Sequence, residues 1–126
     1  MQKILIIDDD EFLLDMYSAK FKEEGFEVSV SLSAKDALEK LKGGLAPEAI
    51  LLDLVMPGMD GFEFLEAVKK EKLSEKSKII ILSNLGQKSH IDKGLSMGAD
   101  DFIIKAYFTP SEVVKKVTSL LENKKT

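Results

Sequence analysis

Several strand-like runs of this chain end in residues able to do chemistry. Asp8, Asp9 and Asp10 follow directly on Ile4-Leu5-Ile6-Ile7, and Asp53 follows on Ala49-Ile50-Leu51-Leu52. Ser83 and Asn84 follow Ile79-Ile80-Ile81-Leu82, and Lys105 follows Phe102-Ile103-Ile104. Asp8, Asp9 and Asp53 cannot gather as bare anions, because unit charges about 4 Å apart repel by roughly 4 kcal/mol at a surface-like dielectric. Lys105 supplies one compensating charge, and a divalent cation supplies the rest. An oxygen-only ligand set points to Mg²⁺ or Mn²⁺ rather than zinc. With a cation in place Asp53 is a candidate nucleophile toward phosphorus, since an ionised carboxylate needs no general base. The Ser83 hydroxyl and the backbone N–H of Asn84 are placed to hold phosphoryl oxygens. The product is an acyl phosphate on Asp53. Asp10 and Glu11 are read differently, as helix N-terminal acids favoured by the helix dipole.

The elements that must position these groups are legible in the periodicity. Ile4–Ile7, Ala49–Leu52 and Ile79–Leu82 are apolar at every position, as strands of a parallel sheet buried on both faces are. Val28-Ser29-Val30-Ser31-Leu32 alternates and predicts an edge strand. Phe102-Ile103-Ile104 predicts a short fifth strand. Helical faces lie between them: Leu13, Met16, Tyr17, Lys20 and Phe21; Ala34, Ala37, Leu38 and Leu41; Phe62, Leu65 and Val68; Val113, Val114, Val117, Leu120 and Leu121. Ser33 is the expected N-cap of the second helix, and Gly43-Gly44 its end. Pro110 and Ser111 suit the start of the last helix. The fourth helix, about Gln87 to Met97, has the weakest pattern and contains Gly94. This βα rhythm predicts an α/β fold, a parallel sheet with helices on both faces. Ligands of such sheets bind outside the carboxyl ends of the strands, and four of the five ends here carry the groups above.

Composition limits the alternatives. The chain has 126 residues, 44% of them hydrophobic and 32% charged, which is globular rather than disordered. It has no cysteine, so disulfides and thiolate metal sites are excluded. The net charge is −4 and the basic residues are scattered, apart from Lys124-Lys125, so no direct nucleic-acid binding is expected. The apolar run at the start is too short for a signal peptide, and no run approaches a membrane span. A cytoplasmic protein without membrane contact is expected.

Taken in order, Ile4-Leu5-Ile6-Ile7-Asp8-Asp9-Asp10, Leu52-Asp53-Leu54-Val55-Met56-Pro57-Gly58-Met59-Asp60-Gly61, Ile81-Leu82-Ser83-Asn84, Gly98-Ala99-Asp100-Asp101-Phe102 and Ile104-Lys105 resemble the receiver domain of two-component response regulators. The likeness covers essentially the whole chain. It implies a single stand-alone receiver over residues 1–126, with a (βα)5 doubly wound sheet in the flavodoxin-like order 2-1-3-4-5. It implies that Asp53 is the phosphoacceptor. Asp9, Asp53 and the backbone carbonyl of Val55 would ligate Mg²⁺, with Asp8 reaching it largely through water. Ser83 would be the switch hydroxyl, Lys105 the partner of the phosphoryl oxygens, and Phe102 the switch aromatic. The donor would be a phosphohistidine on a histidine kinase or phosphotransfer protein. The output would be a changed surface of the fourth helix, fifth strand and fifth helix, read by a downstream protein or by a second copy in a phosphorylation-dependent dimer. On this reading the chain is not an enzyme beyond its own phosphorylation and dephosphorylation.

Two residues depart from the family pattern. Ala106 stands where a proline in a cis peptide usually follows the lysine, and a cis bond before a non-proline costs about 3–4 kcal/mol. Asn84 stands where a small residue usually follows the switch hydroxyl. Val55 and Leu85, two positions beyond Asp53 and Ser83, are apolar and unable to orient a hydrolytic water, so slow self-dephosphorylation is expected. His90 is expected at the surface, and Gly58 and Gly61 in turns. One rival is a phosphatase of the haloacid dehalogenase type with its nucleophile among Asp8-Asp9-Asp10, which leaves Asp53 without a role. A flavin module conflicts with three acids where a phosphate loop belongs. A degenerate receiver that only docks partners is the third alternative.

Overall fold

The computed structural model describes residues 2–122, so Lys124-Lys125 lie outside the described residues. The chain runs β1 (Lys3–Ile7), α1 (Glu11–Glu23), β2 (Glu27–Ser31), α2 (Ala34–Lys42), β3 (Ala49–Leu52), α3 (Gly61–Lys70), β4 (Lys78–Ser83), α4 (Lys88–Ser96), β5 (Asp101–Ile104), a single 3₁₀ turn (Lys105–Tyr107) and α5 (Pro110–Glu122). The five strands pair in parallel in the order β2-β1-β3-β4-β5. This is the predicted order, with β2 at the edge.

Strand alternation sorts the apolar side chains into two cores. Leu5, Ile7, Ile50, Leu52, Ile79 and Ile81 pack on the inner faces of α2 and α3. Ile4, Ile6, Leu51, Ile80, Leu82 and Ile103 pack on α1 and α5 from the other side. The central strands are therefore apolar throughout because both faces are covered. β2 lies at the edge, as its alternation predicts, but the faces are reversed from a simple apolar-in pattern: Val30 is exposed and Ser31 buried.

The helix starts are fixed by side chains. Asp10 caps α1, its Oδ1 accepting from the N–H of Phe12 at 2.9 Å and of Leu13 at 3.2 Å. Ser33 accepts from Asp36 N–H at 3.1 Å, as expected. Asp60 and Glu63 form a reciprocal capping box on α3. On α5 the cap is Thr109, whose hydroxyl accepts from Glu112 N–H while Glu112 accepts from Thr109 N–H. α5 itself starts at Pro110, as the sequence predicts, with Thr109 as the cap just before it. α4 has no side-chain cap bond, and its one buried residue is Gly94. A Cβ at Gly94 would lie 2.5 Å from Ile81 Cδ1, so glycine lets α4 rest directly on β4. Among the described residues no helix is long and apolar enough to cross a membrane.

Candidate functional site

The site begins with backbone geometry at three strand ends. The Asp8 N–H donates to Ser31 O at 3.1 Å and the Asp53 N–H to Ile7 O at 3.0 Å, which extends the parallel pairing just past β1 and β3. Both carboxylates are thereby held at the sheet's carboxyl edge, and both are buried. Asp9 follows Asp8 and is exposed. Each of Asp8, Asp9 and Asp53 offers an oxygen within 4.8 Å of the other two. The three acids predicted to converge do so.

Lys105 enters from the end of β5. Its Nζ donates to Asp8 Oδ2 at 2.8 Å and lies 3.6 Å from Asp53 Oδ1. Among the described residues no peptide bond is cis, so Lys105 reaches both acids across a trans bond to Ala106. Asp8 also accepts at Oδ1 from the N–H of Asp10 at 3.0 Å. The pair is mostly shielded from water, and the electrostatics follow from that. Burial pushes the Asp53 carboxyl up to about 6; Lys105 and the Val55 N–H pull it down, while Asp8 and Asp9 push it up. Burial pulls the Lys105 ammonium down, but Asp8, Asp53 and Tyr17 outweigh it and leave the net shift upward.

Ser83 is the last residue of β4 and is fully buried. Its Oγ accepts from the Leu85 N–H at 3.2 Å. Asn84 beside it is exposed. Val55 is 58% exposed, whereas Leu85 is half-buried and packs on the α2–α3 core. Phe102 is also half-buried, against the same core, and a Cβ on Gly94 would sit 3.5 Å from its ring. Two sequence expectations need correction. Gly61 is required by close approach rather than by turn geometry, since a Cβ there would lie 2.6 Å from the Asp53 carbonyl oxygen. Gly58, at φ +77°, does serve a turn. His90 is half-buried rather than on the surface, and its buried Nδ1 has no hydrogen-bond partner.

One contributor escaped the sequence reading. Helical spacing alone places Tyr17 of α1 among the apolar residues of a helix face. It is 4% exposed and lines a crevice with Asp8 and Asp53 beneath the site. A phenol among otherwise aliphatic and aromatic core positions was the available signal.

The donor set fits a hard divalent cation: three carboxylates, no nitrogen or sulfur ligand, and one exposed member that leaves room for water.

A family model described as response regulator receiver domain matches residues 4–118. The phosphate regulon transcriptional regulatory protein PhoB of Rhizobium meliloti (strain 1021) is 32% identical over 125 residues, which are 99% of this chain and 54% of PhoB. The response regulator SaeR of Staphylococcus aureus (strain USA300) is 30% identical over 99% of this chain and 53% of SaeR. The chain thus spans about half the length of these curated relatives. Among solved structures, the receiver domain of Francisella response regulator 1452 superimposes with a TM-score of 0.87 at 30% identity, covering 98% of this chain and 99% of that one. Vibrio cholerae chemotaxis protein CheY4 gives 0.86 at 28% identity, covering 94% and 98%.

Proposed function

The chain belongs to the response regulator receiver family, and from that premise we propose that it is a phosphorylation-dependent signalling switch with Asp53 as its phosphoacceptor. The observation that carries this reading is the placement of Asp53. It is buried, its carboxylate lies within 4.8 Å of those of Asp8 and Asp9, and Lys105 stands 3.6 Å away. An Asp53 oxygen attacks the phosphorus of a phosphoimidazole on a histidine kinase or phosphotransfer protein. The new P–O bond forms as the P–N bond breaks, and the imidazole nitrogen takes the electron pair and then a proton from water. Acetyl phosphate can replace this donor, with acetate leaving.

Asp8, Asp9, Asp53 and the Val55 carbonyl oxygen would hold Mg²⁺ or Mn²⁺, which supplies the positive charge that lets an anionic carboxylate meet an anionic phosphoryl group. Lys105 contributes the second positive charge, moving from its bond with Asp8 to a phosphoryl oxygen. The Ser83 hydroxyl gives up the Leu85 N–H and donates to another phosphoryl oxygen, with the Asn84 N–H beside it. Movement of Ser83 frees space toward Phe102 and alters the α4–β5–α5 surface, where Leu95 and Tyr107 are exposed. A downstream protein, or a second phosphorylated copy, reads that surface.

Intact-mass spectrometry after acetyl phosphate treatment tests the chemistry. One phosphoryl adduct is expected with Mg²⁺, and none with EDTA or in Asp53→Ala. An adduct that survives in Asp53→Ala refutes the assignment. Catalytic hydrolysis of added phosphate esters would instead favour the phosphatase alternative.

A further inference from the structure

Gly61, the first residue of α3, is buried against the stretch of backbone that carries Asp53. A Cβ there would lie 2.6 Å from the Asp53 carbonyl oxygen and 2.8 Å from Leu54 Cα, both closer than a Cβ can stand to backbone. The Gly61 N–H also donates to Leu54 O at 3.0 Å, so the approach is bonded as well as close. The segment from Asp53 to Gly61 is thereby a loop pinched shut at its base. Leu54 and Met56 are buried in the α2–α3 core, and Val55 stands exposed between them. Val55 is the residue whose carbonyl the proposed cation site uses.

The rigid side of this contact is α3. Its first turn is locked by the reciprocal bonds of Asp60 and Glu63, each at 2.9 Å. Phe64 and Leu65 anchor that turn in the core, both almost fully buried. The loop on the other side passes through exposed Val55, Pro57 and Gly58 and has more room to move. Added bulk at position 61 would therefore push the Asp53–Leu54 peptide away rather than lift α3.

We propose that Gly61 is a positioning residue for the cation: by letting α3 touch the Asp53–Leu54 peptide, it sets where the Asp53 carboxylate and the Val55 carbonyl stand. The inference rests on the cation site proposed above. Alanine at this position adds no charge and removes no ligand, so any effect on a bound cation comes through the backbone.

Manganese ion is the probe, its free-ion electron paramagnetic resonance signal falling as it binds. It is titrated into wild type, Gly61→Ala, Gly94→Ala and Asp53→Ala, with circular dichroism confirming that each is folded. Gly94→Ala is the matched comparison, since its Cβ also meets a neighbour at 2.5 Å, but on Ile81 of β4. Both glycine variants are expected to unfold at lower urea than wild type. Only Gly61→Ala should also raise the Mn²⁺ dissociation constant, by about tenfold, as loss of support behind a metal ligand does. If Gly61→Ala does not fold, Leu54→Ala replaces it and the same rise is expected, because that change removes the side chain beneath the start of α3 without adding bulk. Wild-type Mn²⁺ affinity in the folded variant overturns the proposal, as does an equal loss in Gly94→Ala. If instead the wild type binds Mn²⁺ no better than Asp53→Ala, the cation site itself fails and the inference falls with it.

Discussion

At the scale of single residues, the site is a place where folding and function pull in opposite directions. The Asp53 carboxyl is held at about 6, roughly two pH units above its ordinary 3.8, chiefly by burial. A carboxyl raised in this way favours the fold most below its unfolded-state pKa, and that contribution is lost as pH rises through the folded value. In metal-free protein the ionised group then costs up to about 3 kcal/mol above pH 6. Asp53→Asn carries no charge at any pH. In urea unfolding with EDTA it should match the wild type near pH 4 and exceed it increasingly from pH 4 to 7. Equal stability at both ends of that range would refute the strained-acid account. A second residue-scale expectation concerns the return reaction. Neither exposed Val55 nor half-buried Leu85 can orient water at the acyl phosphate, so Val55→Asn with Leu85→Glu should shorten the phospho-form half-life roughly tenfold. A half-life unchanged in the double variant, followed by loss of the mass adduct, would contradict this. Asp8, Asp9, Asp53, Ser83 and Lys105 were legible in the sequence because each follows an unmistakable apolar run. Tyr17 was not, because a buried tyrosine and a buried phenylalanine satisfy the same helical spacing.

At the scale of elements, the strands were the most legible part and α4 the least. Three runs apolar at every position admit little but buried parallel strands, and β1, β3 and β4 are those runs. α4 lacks a side-chain cap and a broad apolar face, and its glycine reads as a helix breaker. The reason for that glycine lies in β4, which no local pattern reveals. Gly94→Ala weighs two opposing effects. Alanine favours a helix interior by about 1 kcal/mol over glycine. Its Cβ, however, would meet Ile81 Cδ1 at 2.5 Å. Ile81 is fully buried and has little room to turn away, and overpacking of this kind costs about 1–3 kcal/mol. Overpacking should win: net destabilisation of about 1 kcal/mol, with faster amide exchange in α4 and unchanged exchange in α1. Slower exchange in α4 would show that Ile81 yields and that α4 is limited by helix propensity alone. The same logic explains Thr109, whose capping role appears only once Glu112 is seen to answer it.

At the scale of the molecule, the site is made by tertiary folding. Asp8 and Asp9 leave β1, Asp53 leaves β3 and Lys105 leaves β5, so no short segment holds the cluster. A cation bound there would bind the folded state and not the unfolded one. At ten times its dissociation constant it would add about 1.4 kcal/mol to stability, or roughly 5 °C in Tm for a chain of this size. Protons compete with the cation for Asp53, so the gain should shrink as pH falls below about 6. Asp53→Asn should lose most of the gain at pH 7.5. Lys105→Ala should behave in the opposite way. It leaves Asp8 and Asp53 without their ammonium partner, so the metal-free protein falls in Tm while the Mg²⁺-dependent rise becomes larger. The three Tm series, taken with and without Mg²⁺, separate a true cation site from a surface acidic patch, which would show a small rise of equal size in all three proteins. That equal rise would remove the electrostatic basis on which Asp53 is assigned as the acceptor.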